Sequence, residues 1–216
     1  MSDQEQKAPM SSFLRALLAG LSLSIVTVFC ILVVYQAQKA TEEVRMKNLN
    51  EGVIISRHLD RLLPEDARGK GITYSCRFLN DKRIGGRMPL YLAYSGKKLK
   101  GYILTYSTNK GYSSPLTMVT GLDSEKRIFM TDIEFSNETP GYGDRADRNH
   151  GDFLDMFSGK TINNAAWEIK KYGGDFDYLS GATITSRALV SATKDALSVL
   201  EETDLGSLPP CSRKRK

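Results

Sequence analysis

Residues 88–108 read "MPLYLAYSGKKLKGYILTYST". Two runs rich in Tyr, Leu and Ile flank Gly96-Lys97-Lys98, and this spacing predicts a β-hairpin. The pattern repeats downstream, where "SPLTMVTGLD" (114–123) and "RIFMTDIEFS" (127–136) flank Ser124-Glu125-Lys126. Strands that follow one another through short turns pair antiparallel. With helical patterns before and after them, they place the chain in the α+β class.

Upstream of the hairpins, residues 40–63 carry Val44, Leu49, Val53, Ile54 and Leu59 at a rough helical spacing. Pro64 stops or bends that helix, and a polar loop with Gly85-Gly86 leads to the strands. Still earlier, residues 16–38 contain no charge, and "LLAGLSLSIVTVFCILVVY" is mostly aliphatic. At about 1.5 Å per residue, such a helix covers the roughly 30 Å hydrocarbon core of a bilayer. Its serines and threonines can bond the helix's own carbonyls, and Tyr35 suits the interface. A cleaved signal peptide has a shorter core and a small-residue cleavage site, whereas "YQAQKATEE" offers only a poor one. A retained single-pass anchor is therefore expected. The flanking charges do not orient it: Lys7 and Arg15 stand on one side, and Lys39, Arg45 and Lys47 beside Glu42 and Glu43 on the other.

Downstream of the second hairpin, Pro140, Gly141 and Gly143 mark "SNETPGYGDRADRNHGDFLDMFSGK" (136–160) as a loop, with a short helix in its last third. A strand is expected around residues 167–169, then a turn at Gly173-Gly174. From Ser186 onward Leu189, Ala192, Ala196, Val199 and Leu200 recur at helical spacing, which predicts an amphipathic helix. The stretch "DYLSGATITSRALV" (177–190) is thus a loop feeding a helix N-terminus. Its hydroxyls, on Ser180, Thr183, Thr185 and Ser186, have no neighbouring His or Cys to activate them. Two roles suit them. Thr185 or Ser186 caps the helix, or the helix start and the small Gly181-Ala182 pair receive a phosphate.

Composition excludes several other chemistries. The chain has 216 residues and a formal charge of +5, much of it in Arg213-Lys214-Arg215-Lys216. No basic helix, paired Cys and His, or aromatic RNA-binding strand accompanies that tail, so no nucleic-acid partner is expected. His58 and His150 are far apart, and Cys30, Cys76 and Cys211 have neither zinc nor Cys-x-x-Cys spacing, so no metal site is expected. Cys30 reads as a small buried hydrophobe. Cys76 and Cys211 could pair if the domain faces an oxidising compartment, but their spacing does not indicate it. Asp152 and Asp155 read as a solvated face. Trp167 reads as core, although it could stack on an aromatic ligand, as could Tyr142 and Tyr112.

"DYLSGAT" resembles the flavinylation motif Asp-x-x-Ser/Thr-Gly-Ala-Thr, whose last threonine receives FMN as a phosphoester from a flavin transferase. "GYSSPLTMVTGLD", "ETPGYGD", "FSGK" and "GGDFDYLSGATITSRALVSA" follow in the order found in the G subunit of Rnf-type electron transport complexes (RnfG). The membrane anchor matches as well. The resemblance covers nearly the whole chain, most strongly residues 111–192. The related NqrC subunit of sodium-pumping NADH:quinone reductases is the nearest alternative, and a cofactor-free anchored scaffold is a second.

The resemblance implies covalent FMN on Thr183, with Ser180, Gly181 and Ala182 completing the motif and Asp177 recognised by the transferase. Thr185 and Ser186 would contact the phosphate or cap the helix. Glu138, Thr139, Pro140 and Gly141 match a second signature loop placed against the flavin. Ser136-Asn137 and Tyr142 depart from it, since relatives often carry histidines and leucine there. The implied division is an N-terminal tail (1–12), a transmembrane anchor (13–38), a helical linker region (39–85), an antiparallel-sheet FMN-binding domain with flanking helices (86–204) and a basic tail (205–216). The implied role is an electron carrier rather than an independent catalyst, in a bacterial inner membrane with its soluble domain periplasmic. Its partners would be the other subunits of a complex that couples ferredoxin/NAD electron transfer to ion transport, the flavin transferase, and membrane lipid.

Overall fold

The computed structural model describes residues 12–51, 59–69, 71–113 and 115–211. The chain divides into two units, Met1–Glu51 and Gly52–Lys216. Among the described residues the first is a single helix, α1 (Ser12–Glu51), whose segment Gly20–Ala40 has a mean hydropathy of 2.0 with none of it buried. Ser24 Oγ donates to the Gly20 carbonyl at 2.9 Å and Thr27 Oγ1 to the Leu23 carbonyl at 2.8 Å. Their polarity is thereby absorbed within the helix. Cys30 is exposed on α1 and is not the buried hydrophobe expected.

The second unit is built on one antiparallel sheet with its five strands in sequence order. These are β1 (Ile72–Asp81), β2 (Gly86–Ser95), β3 (Lys98–Thr108), β4 (Leu116–Asp123) and β5 (Ile128–Phe135). The hairpins β2–β3 and β4–β5 fall where their turns predict. β1 does not: the expectation for 72–81 is linker and loop. Its alternation of Ile72, Tyr74, Cys76 and Phe78 with Thr73, Ser75 and Arg77 is the two-residue period of a half-buried strand. The strand expected at residues 167–169 is absent. Ile169 makes only a single bridge to Phe176 across a 3-10 turn at Lys170–Tyr172. The short helix expected in 152–160 is a 3-10 turn, Phe153–Phe157.

Both faces of the sheet are covered, so β3 is buried from Gly101 to Thr108 and reads as a nearly continuous apolar run. On one face Leu90, Leu92, Tyr102, Leu104, Tyr106 and Met118 meet helix α3 (Thr183–Glu202), which buries Ala188, Leu189, Ala192, Ala196 and Leu200. On the other face Leu62, Leu63 and Ala67 pack on Tyr91, Ala93, Ile103 and Val119. Leu62 closes a short helical turn, α2 (Leu59–Leu62), ahead of Pro64. That turn lies flat on Gly121, where an added Cβ would meet the Leu62 carbonyl oxygen at 1.6 Å. The helix expected over 40–63 is thus seen as the end of α1 and as α2, and residues 52–58, with Val53, Ile54 and His58, lie outside the described residues.

A chain of buried hydroxyls ties α3 to the sheet. Thr193 Oγ1 donates to the Leu189 carbonyl at 2.9 Å, so it accepts from Tyr106 OH, also at 2.9 Å. Tyr106 in turn accepts from Thr120 at 2.8 Å, and Thr120 from Thr131 at 3.0 Å. Burial pushes the Tyr106 phenol up to about 12. An unfolded tyrosine titrates near about 10, so the folded state holds this proton more tightly. The stability this contributes is intact below about pH 10 and is lost as pH rises toward about 12. The difference amounts to roughly 3 kcal/mol. Tyr106→Phe should cost about 1–3 kcal/mol at neutral pH, because the Thr120 hydroxyl loses its acceptor. It should also flatten the alkaline fall in stability, read from urea unfolding midpoints across that pH range.

The C-terminal segment is not a free tail up to Cys211. Phe78 N–H donates to the Pro209 carbonyl at 2.9 Å and Cys211 N–H to the Cys76 carbonyl at 3.1 Å. Cys76 and Cys211 form a disulfide with a Cα–Cα distance of 5.3 Å. The segment therefore covers the outer edge of β1, which would otherwise expose a row of unpaired backbone groups. The basic residues 213–216 lie outside the described residues.

Candidate functional site

The loop 136–143 folds around its own Thr139 carbonyl, which accepts the N–H groups of Tyr142 at 3.1 Å and Gly143 at 3.2 Å. This turn carries Glu138 inward, where it is only 6% exposed. Its carboxylate accepts the Ser113 N–H at 3.1 Å and the Thr185 hydroxyl at 2.6 Å. An added Cβ at Gly111 would sit 2.7 Å from one carboxylate oxygen, and one at Gly143 2.7 Å from the other. Glu138 thus pins the 111–113 turn and its own loop to the first turn of α3. Hydrogen bonds to a charged acceptor contribute about 1.5–3 kcal/mol each. Glu138→Ala should lower thermal stability by about 2–4 kcal/mol. Glu138→Gln should recover only part of this, since one end of the amide then faces a donor.

The N-cap of α3 is Ala182, and no side chain caps the helix. Thr185 and Ser186 do not cap it, contrary to one expectation, because both lie inside the first turn and are buried. Thr185 is committed to Glu138. Ser186 Oγ donates to the Ala182 carbonyl at 2.9 Å and accepts the Leu179 N–H at 3.0 Å. Neither hydroxyl is available to a ligand. Thr183 differs. It is the first helical residue and half-buried, and its hydroxyl has no hydrogen-bond partner among the described residues. The unbonded N–H groups of the first helical turn and the positive end of the helix dipole lie beside it.

Thr183 lines a cleft of about 460 Å³ together with Tyr112, Glu138, Thr139, Tyr142 and Gly181. Ala182, Thr185, Gly143 and Ile184 complete it. Gly181 holds a left-handed backbone (φ +82°), and Tyr142 lies so close that an added Cβ would meet its ring at 2.8 Å. Pro140, Gly141, Ser180 and Asp177 do not line this cleft. Pro140 and Gly141 form an exposed tip, Ser180 is exposed, and Asp177 is exposed and pairs with Lys170 at 2.7 Å. The sequence marks Gly143 only as a loop glycine within "ETPGYGD", and its close packing against the Glu138 side chain is set by the fold. Ile184 is legible only as the neighbour of Thr183.

Thr183 and Ile184 also border a second hollow of about 570 Å³, lined by Lys110, Trp167, Glu168, Tyr172 and Arg187 among others. Four of its charged side chains form two ion pairs. Arg187 Nε donates to Glu168 at 2.9 Å and holds that carboxyl below its ordinary range, and Lys110 meets Asp195 at 3.3 Å. Trp167 stacks within a cluster with Phe157 and Phe176, as a core residue does. Among the described residues no three His, Cys, Asp or Glu side chains are placed to share a metal ion.

The FMN-binding domain family matches residues 111–198, the span that contains the Glu138 loop, the cleft and most of α3. The chain is 37% identical over 141 residues to the G subunit of the ion-translocating oxidoreductase complex of Salmonella typhi, covering 63% of this chain and 68% of that protein. It is 33% identical over 159 residues to the corresponding protein of Escherichia coli (strain K12), covering 70% and 77%. Against its counterpart in Vibrio vulnificus (strain YJ016) the identity is 30% over 183 residues, covering 82% and 86%. Similarity that extends beyond the cleft-bearing domain and spans most of these relatives agrees with the motifs, and the chain belongs to the family of G subunits of ion-translocating oxidoreductase complexes.

Proposed function

We propose that this chain is the electron-transfer subunit of an ion-translocating oxidoreductase, carrying FMN as a phosphoester on Thr183. The observation that supports this most directly is the state of the hydroxyls. Thr185 and Ser186 are buried and bonded, whereas Thr183 has no hydrogen-bond partner among the described residues and opens into a cleft. The cleft fits the group. Its volume lies within the usual range for small-molecule sites, about 300–1,000 Å³. The start of α3 supplies N–H donors for phosphate oxygens.

Bound FMN supplies one-electron chemistry, and the protein's part is to hold and orient it. Glu138 keeps the loop and helix that form the cleft walls in register. A covalent tether makes retention of the cofactor intramolecular. The apolar segment of α1 acts as a single-pass anchor in the inner membrane and holds the domain near its partner subunits. The Cys76–Cys211 disulfide favours an oxidising compartment, and hence a periplasmic domain. A flavin transferase acts on the 177–183 motif, and exposed Asp177 is accessible to it. Ferredoxin/NAD exchange coupled to ion movement belongs to the whole complex, in which this subunit relays electrons.

Mass spectrometry of the peptide spanning residues 177–187, from protein matured with its transferase, tests the assignment. The expected product carries the mass of FMN less water on Thr183. The same mass on Ser180 or Thr185, or an unmodified peptide, rejects it.

A further inference from the structure

Two clefts meet at Thr183, and they differ in what they offer a planar ring. The hollow toward Trp167 is bordered by the ion pairs Arg187–Glu168 and Lys110–Asp195. A ring inserted there would desolvate or part charged groups. The cleft toward Glu138 holds a single carboxylate, already occupied by the Ser113 N–H and the Thr185 hydroxyl. Its mouth carries Tyr112 and Tyr142, which are 70% and 56% exposed. Tyrosine rings bury a large area when they find a partner, and offset stacking favours them further by about 0.5–1.5 kcal/mol. Left this open, both rings are unpaired apolar surface at the edge of a ligand-sized cleft.

Tyr142 is also held in place. Its N–H is bonded to Thr139 O at 3.1 Å, and its ring rests against Gly181, two residues before Thr183. We propose that Tyr112 and Tyr142 are the walls between which the isoalloxazine ring of FMN on Thr183 rests, with Tyr142 as its stacking face. This rests on the covalent-FMN reading above. An aliphatic side chain at position 142 could fill the same space but could not supply an oxidisable ring. The phenol therefore gives this chain a contact that alters the flavin's light emission.

The consequence is optical. A photoexcited flavin stacked on a phenol takes one electron from it and then returns it in the dark, so both groups are restored and no light is emitted. Full-length protein, matured with a flavin transferase and purified in detergent, is compared folded and unfolded for flavin fluorescence per bound FMN, with attachment verified by mass. The folded wild type should emit several-fold less than the same sample unfolded. Tyr142→Phe combined with Tyr112→Phe removes both readily oxidised phenols and should restore most of the emission; Tyr142→Phe alone keeps the packing on Gly181 and should raise the emission in part. Tyr142→Leu should do the same and also weaken the visible circular dichroism of the flavin. Tyr172→Phe and Trp167→Phe should leave the wild-type yield unchanged.

Folded and unfolded wild type emitting equally, or emission unmoved by Tyr142→Phe combined with Tyr112→Phe, overturns the proposal while leaving the attachment intact. Recovery with Tyr172→Phe or Trp167→Phe instead puts the ring in the other hollow. Absence of the FMN mass from Thr183 rejects the underlying attachment, and this proposal with it.

Discussion

Thr183→Ala, produced alongside a flavin transferase, should fold like the wild type and show no fluorescent band after denaturing electrophoresis. The loss should be complete rather than graded, because a phosphoester needs a hydroxyl and the substitution removes it. Neighbouring hydroxyls do not replace it. Thr185 is 1% exposed and its proton is committed to Glu138 at 2.6 Å, and Ser186 is fully buried with both a donor and an acceptor engaged. Ser180 is exposed but lies outside the cleft lining.

The cost to folding should be small. The Thr183 hydroxyl has no bond to lose among the described residues, and alanine favours a helical position over threonine by roughly half a kcal/mol. Melting temperature is therefore the control, and Thr183→Ser should retain the band. A band that survives Thr183→Ala and disappears with Ser180→Ala would move the acceptor and refute the assignment.

The second large effect concerns the Cys76–Cys211 bridge. It joins residues separated by 135 positions. Closing a loop of that order confines the unfolded chain by about 5 kcal/mol in the chain-entropy model, and measured values are commonly about 2–4 kcal/mol. Cys76→Ser should therefore lower stability by about 2–5 kcal/mol, a fall in melting temperature of roughly 10 °C for a domain of this size. Reductant should reproduce the loss in the wild type and add nothing to the variant. Freed of the bridge, residues 205–211 should become susceptible to proteolysis, since their remaining ties to β1 are few. The same cysteines report topology. Thiol labelling of intact cells that finds Cys76 and Cys211 oxidised supports a periplasmic domain, and labelling that finds both as free thiols contradicts it.

Parts of the structure were legible because their causes are local. The β2–β3 hairpin follows from apolar runs on either side of Gly96, and α3 from the recurrence of Leu189, Ala192, Ala196 and Leu200. β1 is readable in principle, but its alternation runs into the polar Asn80-Asp81-Lys82-Arg83 and so merges with the loop that follows. Residues 167–169 mislead in the other direction. Their apolar character serves packing of Trp167 on Phe176, centroids 4.8 Å apart, rather than a sheet.

At the site, the motif singles out Thr183 by resemblance, while its spacing allows Thr185 and Ser186 equal standing. Only packing separates them. A helix turns about 100° per residue, so neighbouring hydroxyls at its start face different surroundings. In this chain Thr185 and Ser186 face inward, and Thr183 faces the cleft.

The sequence by itself determined the apolar span, the paired hairpins, the final helix and the threonine to examine, since turn chemistry, hydrophobic period and a contiguous motif act over a few residues. Tertiary structure alone decided that Glu138 reaches Thr185 across 47 positions, that Cys76 meets Cys211, and that two tyrosines from separate loops frame one cleft. The first and last exist because α3 packs across the sheet and draws distant loops to its N-terminus, the bridge because the segment after α3 returns along β1, and no local pattern specifies which segments will meet.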